Sequence, residues 1–407
     1  MQTEKAIPAK KQKMLVAVDS LMMGGIAKSL AAFVSYCKET CDIDVLVWRS
    51  SLPEEVKLPN GVNRICLPGT ESVRTEYESR GVLSRGFAVS LSGAFRRKRW
   101  LAVPRIRKEY DIAIAYSHVS NLKYYVIDRV RAKRKYAFYH HGAYTFPESV
   151  KRFDAEYYPR YDRVFAVSDS AREVLREAFP ALENVSVLPN LIDIEGIRQS
   201  AKAPCPEYPD GCGIRLLTVG RLSPEKDPLR IIETAKLLDA QGVQYRWIVV
   251  GDGEMADALK EEIHRNGLEE KVIPVGNQEN PYRFMGKCDC YVQFSQYEAD
   301  PLTVREAAAL GKPMALTDIP SFRDCSRDLR NVTLFRNEEE AVSLIRKSRD
   351  MTTKEPDPQT INRNARQGID ALLHAEPAGS EQKAGIPVNA REENARKKTQ
   401  KHQGPYT

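Results

Sequence analysis

The chain has 407 residues, a formal net charge of +7 and 42% hydrophobic residues, long enough for two hydrophobic cores and a tail. Its eight cysteines show no disulfide or zinc spacing, and no apolar run is long enough to cross a bilayer or serve as a signal segment. These features exclude the disulfide-stapled and membrane-spanning classes and give the expectation of a cytoplasmic protein.

Residues 1–12 are polar and basic and read as a flexible N-terminus. MLVAVDS is the first predicted strand, and LMMGGIAKSLAAFVSYCKE a glycine pair opening an amphipathic helix. Gly24 and Gly25 let a backbone approach a ligand closely, although two glycines alone indicate only a turn. Asp42 and Asp44 have the spacing of a metal-binding Asp-x-Asp, but CDIDV opens a strand, so a surface turn is the better reading. No His/Asp/Glu cluster suggests a metal, and none is expected. Cys37 with Cys41, and Cys288 with Cys290, suit core packing.

Excess positive charge gathers in residues 81–108, a segment with no acidic residue. There Phe87, Phe95, Trp100 and Leu101 interleave with Arg96, Arg97, Lys98 and Arg99. Such a segment can lie on an anionic membrane surface. It can equally pack its apolar face inward and solvate its basic face. Nucleic acid is not expected as a partner, because no recognised motif accompanies the charge. DIAIAYS then reads as a buried strand, and KYAFYHHGAYTF as a strand with His140 and His141 at its carboxyl end. RVFAVS, DSAREVLREAF and VSVLPNLID complete a first domain over 13–199, followed by a proline-rich linker at 200–212.

The second domain is expected over 213–350. IRLLTVG is a strand, and its loop places Arg221 and Lys226 at the carboxyl end, where ligands bind in open α/β sheets. Arg offers a planar fork for phosphate oxygens and Lys a mobile point charge. The alternative is two solvated cations beside Glu225 and Asp227. Gly251 follows strand YRWIVV, and Asn280-Pro281 begins a short helix in which Tyr282 and Phe284 read as packing residues. The most informative stretch is QYEADPLTVREAAALGKP, with Glu298 and Glu306 eight residues apart. Asp300 and Pro301 read as N-cap and first turn of a helix that Gly311 stops. Glu298 then sits on the loop before the helix, Glu306 on its second turn, and the free amides of Leu302 and Thr303 between them. Two carboxylates beside an anion-binding helix end suit a ligand with hydroxyls and phosphate, a nucleotide sugar. Residues 351–374 can form a C-terminal helix, and 375–407 are expected to be disordered.

These segments, GGIAKSL, FAVSDSAREVLRE, VLPNLID, TVGRLSPEKDP, VVGDGE, VGNQENPYRFM and YEADPLTVREAAALGKPMALTD, resemble in order the retaining glycosyltransferases of family 4. The resemblance spans roughly residues 13–325, and GNQENPY is similar to members that build bacterial surface polysaccharides. It implies the α/β GT-B fold: two Rossmann-like, doubly wound parallel-sheet domains facing an interdomain cleft. It implies a nucleotide-sugar donor, with UDP as the nucleotide; the basic segment and GNQENPY point to a lipid-linked or polymeric glycan acceptor and to a peripheral place on the inner face of the plasma membrane. By resemblance, Gly24 and Gly25 lie beside the transferred sugar, His140 near its reacting side with His141 as competitor, and Gly251 in the donor-side turn. Arg221 and Lys226 would neutralise the leaving diphosphate in place of a metal, Glu298 would orient the sugar, and Glu306 would take the ribose hydroxyls. Retention of configuration is implied in the same way. Ala299 and Asp300 depart from the family's usual glycine and uncharged residue, and an Asp300 cap would compete with phosphate for the helix amides. Two other readings stay open: a nucleotide-sugar epimerase of the same fold, and a catalytically weak partner subunit of another transferase.

Overall fold

The computed structural model describes residues 11–22, 24–68, 70, 98–351 and 355–376. Two all-parallel sheets account for every described strand. The first contains β1 (Gln12–Val18), β2 (Cys41–Val47), β3 (Asn63–Ile65), β4 (Glu109–Ala115), β5 (Arg131–Tyr139), β6 (Arg163–Ala166) and β7 (Val185–Val187), in the order β3-β2-β1-β4-β5-β6-β7. The second contains β8 (Ile214–Val219), β9 (Tyr245–Val250), β10 (Val272–Gly276), β11 (Cys290–Gln293), β12 (Met314–Thr317) and β13 (Val332–Phe335), in the order β10-β9-β8-β11-β12-β13. Both central strands are apolar runs buried on both faces, as parallel sheets covered by helices require.

Helices connect the strands: α1 (Gly25–Cys37), α2 (Leu122–Arg129), α3 (Glu148–Tyr157), α4 (Asp169–Ala178), α5 (Ile194–Ser200), α6 (Arg230–Ala240), α7 (Ala256–Arg265), α8 (Tyr282–Lys287), α9 (Leu302–Ala309), α10 (Pro320–Asp328), α11 (Glu338–Ser348) and α12 (Pro358–His374). In each sheet the order reverses beside its first strand, at β1 between β2 and β4 and at β8 between β9 and β11. A reversal splays the following loops apart and opens a crevice at the carboxyl ends of the strands. The Gly24-Gly25 loop follows β1 and the Arg221–Lys226 loop follows β8, so both lie at reversal points.

The structure revises several expectations. Residues 200–212, read as the linker, pack on the second core through Ala201 and Tyr208, and the Tyr208 hydroxyl donates to the Leu216 carbonyl at 2.6 Å. Asp44 is buried within β2, where Lys108 and Tyr110 each donate to Oδ2 at 2.7 Å and Asn63 to Oδ1 at 3.1 Å. Its carboxylate is a structural anchor and not part of a surface turn. Trp100 is 1% exposed and donates from Nε1 to Asp128 at 2.8 Å, so it is a core residue and no membrane anchor. Beside it Lys98 pairs with Glu156 at 3.0 Å while Arg99 is exposed, the arrangement of an inward apolar face. Phe87, Phe95, Arg96 and Arg97 lie outside the described residues, as do most of residues 1–12 and 375–407. Cys37, Cys41, Cys288 and Cys290 are buried in the cores. No described helix is long and apolar enough to cross a membrane.

Helix α12 follows the second lobe in the chain yet packs on the first. Its Ala365, Ile369, Leu372 and Leu373 join the first core, and Arg134 of β5 donates to the carbonyls of Leu372 and Leu373 at its end. At the other end Ile361 joins the second core, and Asn362 exchanges hydrogen bonds with the backbone of Ile192. One helix therefore ties both lobes together.

Candidate active site

The site grows from the carboxyl end of β11. Side chains alternate along a strand, so Tyr291, Gln293 and Ser295 share a face. They form a relay: Tyr291 donates to Gln293 Oε1 at 2.6 Å, Gln293 donates to Ser295 at 2.9 Å, and Ser295 donates to Glu298 Oε1 at 2.8 Å. Glu298 is thereby aimed before any ligand enters. The same Oε1 takes an ion pair from Lys226 Nζ. Lys226 ends a short 3-10 turn, Pro224–Lys226, and Asp227 next to it is left-handed (φ 49). The Glu225 carbonyl accepts from Gln296 N at 2.8 Å and holds that turn against the Glu298 loop.

Arg221 is exposed and makes no ion pair among the described residues. Burial raises the nearby Glu225 carboxyl, but its hydrogen bonds and the cations Lys226 and Arg221 outweigh this and hold it below the usual carboxylate range. Gly251, with φ 137, lies beneath this loop. A Cβ there would sit 1.8 Å from the Gly220 carbonyl, so only glycine lets β9's loop pass so close. Gly251 therefore packs directly on the residue before Arg221.

Asp300 does not cap α9. Pro301 occupies the N-cap position without a side-chain bond, and the Asp300 carboxylate is turned inward. Oδ1 accepts from Arg305 Nε at 2.6 Å, and Oδ2 from the backbone and side-chain nitrogens of Asn190 at 2.9 and 3.0 Å. The Leu302 and Thr303 amides, which lack acceptors within any helix, therefore face no competing cap. The departure that threatened phosphate binding is a lobe-to-lobe anchor. Glu306 stands one turn further on, 3% exposed, with Oε1 accepting from Tyr282 at 2.9 Å and Oε2 buried without a partner among the described residues. Tyr282 packs against the second core, as read, and its hydroxyl in addition reaches Glu306, while Phe284 is fully buried.

The opposite wall comes from the first lobe. A Cβ on Gly25 would lie 3.5 Å from the Leu302 side chain, so the glycine loop faces the start of α9; Gly24 faces open space. Lys28, in the first turn of α1, reaches across to Glu306 Oε1 at 3.9 Å. Gly142 presses on the Glu298 backbone, where a Cβ would meet the carbonyl oxygen at 2.3 Å. Ser168 donates to the Ala299 carbonyl at 2.6 Å. The loop after β5 thus meets the first glutamate's backbone through Gly142, with the His141 ring near Tyr297, while the His140 ring packs on Tyr116 and Phe138.

Burial pushes His140 down to about 3, so its imidazole is neutral, and its Nε2 is buried without a partner among the described residues. His141 instead folds its Nδ1 back on Ala143, with its ring 6.0 Å from Tyr297. A third histidine, His118 after β4, was not singled out in the sequence. Burial first, then His140, His141 and Lys123, hold it well below the usual range. His118 Nδ1 accepts the His140 amide at 3.3 Å, which leaves the proton of the neutral ring on Nε2. Lys123 donates to the His118 carbonyl and to Asp154, which also takes Tyr124 and Tyr144, so a buried network fixes the whole histidine loop. The only sequence signal for His118 was its place at the end of a buried strand.

Two family models match most of the chain: Glycosyltransferase Family 4 over residues 23–195 and Glycosyl transferases group 1 over 211–368. Two Rossmann-like lobes with one cleft at their reversal points are the GT-B class of glycosyltransferase. Within it, the first lobe matches the family 4 model and the second the group 1 model, so the chain is a family 4-like glycosyltransferase. It is 27% identical to an uncharacterised glycosyltransferase of Methanocaldococcus jannaschii over 40% of this chain and 41% of that one. It is 25% identical to the UDP-Gal:alpha-D-GlcNAc-diphosphoundecaprenol alpha-1,3-galactosyltransferase of Escherichia coli over 67% of this chain and 76% of that one. Several curated relatives are matched over only about two fifths of their own length. HepE of Anabaena, solved with UDP and glucose, shares the fold with a TM-score of 0.65 at 17% identity, over 89% of this chain and all of that one.

Proposed function

We propose that the chain transfers a sugar from a nucleotide-sugar donor, with uridine diphosphate as the leaving group, to a lipid-linked or polymeric glycan acceptor, with retention of configuration. The observation that carries this reading is the Lys226–Glu298 pair, set beside the start of α9 and pressed upon by Gly142 of the facing lobe. One cation and one carboxylate there match the two ends of a sugar diphosphate. Lys226 and Arg221 stabilise the charge that grows on the leaving phosphate, with the Leu302 and Thr303 amides behind it. Glu298, held by Ser295, orients the sugar through its hydroxyls. Glu306 accepts from the ribose. His140, neutral and with its Nε2 lacking a partner among the described residues, belongs to the acceptor side in this reading. The acceptor attacks from the face the diphosphate leaves, and the two lobes exclude water from the reacting carbon.

The nucleotide and the acceptor class draw support from the relatives: the Escherichia coli transferase is named for UDP-Gal and a diphosphoundecaprenol acceptor, and the Anabaena structure holds UDP. Fixed protein charges serve the leaving group, so no metal is required, and transfer is expected to persist in a chelator. The test is a thermal-shift screen against nucleotide sugars, since a ligand of the folded state raises its melting temperature. Transfer assays with Lys226→Ala and Glu298→Ala follow. UDP-sugars should rank first, and each variant should lose about a hundredfold or more in rate while staying folded. Near-normal rates in both variants, or release of an altered free sugar without acceptor, would reject transfer at this site.

A further inference from the structure

Glu306 is held by two residues that come from different lobes. Tyr282, at the start of α8 in the second lobe, donates to Glu306 Oε1 at 2.9 Å. Lys28, from α1 in the first lobe, lies 3.3 Å from the Tyr282 hydroxyl, 3.9 Å from Glu306 Oε1 and 5.1 Å from the centre of the Tyr282 ring. The three side chains form one closed triangle. Glu306 Oε2 has no partner among the described residues although the side chain is only 4% exposed. A buried carboxylate oxygen without a donor carries a desolvation penalty that a ligand hydroxyl would relieve.

We propose that Tyr282 and Lys28 are positioning residues for the donor nucleotide: they pin one oxygen of Glu306 so that Oε2 presents a fixed acceptor to a ribose hydroxyl. The inference rests on the nucleotide-sugar reading and deepens it. Three features fit. The phenol remains a donor, because burial first and Glu306 second push its ionisation above the ordinary tyrosine range. Lys28 sits above the ring and within ion-pair reach of the same carboxylate oxygen, so it holds Oε1 from the second side. The triangle also spans the two lobes, so its Lys28 corner is completed only where the first turn of α1 meets α8 and α9. Donor recognition is thereby made to depend on the approach of the two lobes, which Gly25 beside Leu302 and Lys28 beside Glu306 both record.

The roles assign the effect to binding and not to bond making. Tyr282→Phe removes the hydroxyl, with the bond it donates to Glu306 and the one it accepts from Lys28, Lys28→Met removes the ammonium, and Lys28→Arg keeps the charge. Calorimetric titration with UDP and with its 2′-deoxy and 3′-deoxy analogues should show Tyr282→Phe and Lys28→Met binding UDP about tenfold more weakly, the scale of one hydrogen bond to a charged group. Donor KM should rise by the same factor with kcat unchanged, and Lys28→Arg should recover most of the loss. In the wild type one deoxy analogue should bind weakly, and that discrimination should shrink in Tyr282→Phe. UDP affinity and discrimination equal to wild type in both variants would overturn the proposal while leaving nucleotide binding intact. A fall in kcat at unchanged KM would also overturn it. A wild-type chain that binds no nucleotide in the screen defeats the parent reading and this one together. Should Lys28→Met fail to fold, Tyr282→Phe alone decides, since it removes one buried oxygen and leaves the ring packing in place.

Discussion

His140 and His118 show how burial chooses a protonation state. Both imidazoles are held neutral below their ordinary range, His140 down to about 3. The unfolded chain takes up these protons near pH 6.5 and the folded chain does not. Their contribution to stability is therefore complete above about pH 6.5 and is lost as pH falls from there towards 3. Denaturant titrations should give a flat unfolding free energy above pH 7 and a decline below pH 6, and His118→Gln should flatten that decline. An unchanged slope in the variant would show that His118 is not held neutral. Neutrality also matters for the proposed chemistry. An imidazolium at position 140 could only donate, whereas the neutral ring keeps a lone pair for an acceptor hydroxyl.

The elements around Glu298 are joined by contacts no single segment contains. The Asp300–Arg305 pair is buried, with Asp300's side chain inaccessible, and it links α9 to Asn190 of the crossover between lobes. Asp300→Asn keeps the shape and strands the Arg305 charge, so it should cost about 3–5 kcal/mol in unfolding free energy by denaturant titration. A loss under 1 kcal/mol would show the pair to be dispensable. Gly142 tests the other wall. Gly142→Ala must move the histidine loop or the Glu298 backbone, because the added carbon would overlap the carbonyl. Transfer should fall at least tenfold with secondary structure intact by circular dichroism, and wild-type rates would mean the loop yields freely.

At the scale of the whole molecule, α12 returns the chain to its first lobe. Ile369, Leu372 and Leu373 are all under 5% exposed, and fully burying each such side chain is worth about 1.5–3 kcal/mol. Ending the chain before Pro358 should therefore lower the melting temperature markedly and separate the unfolding of the two lobes in calorimetry. A single transition at the original temperature would show that the lobes need no tie. The helix was legible as QTINRNARQGIDALLH, but not its destination, because an apolar stripe records that a face is covered and not which core covers it.

Local chemistry wrote much of this protein into its sequence. Alternating apolar strands and amphipathic helices forced two parallel sheets, reversal-point loops took Arg221, Lys226, Gly24 and Gly25, and the Glu298–Glu306 spacing straddled one helix start. What tertiary structure alone decided was partnership. Asp300 had a good capping sequence yet was drawn inward by Arg305 and Asn190, since a buried guanidinium needs its carboxylate more than exposed amides need a cap. Tyr282 packs as its sequence suggested, but its hydroxyl's partner, Glu306, lies 24 residues away and came within 2.9 Å only on folding. His118, Lys28 and the Tyr291–Gln293–Ser295 relay acquired their places in the same way. Spacing along a chain fixes which face a side chain occupies, but its long-range hydrogen bonds are set only when two sheets meet.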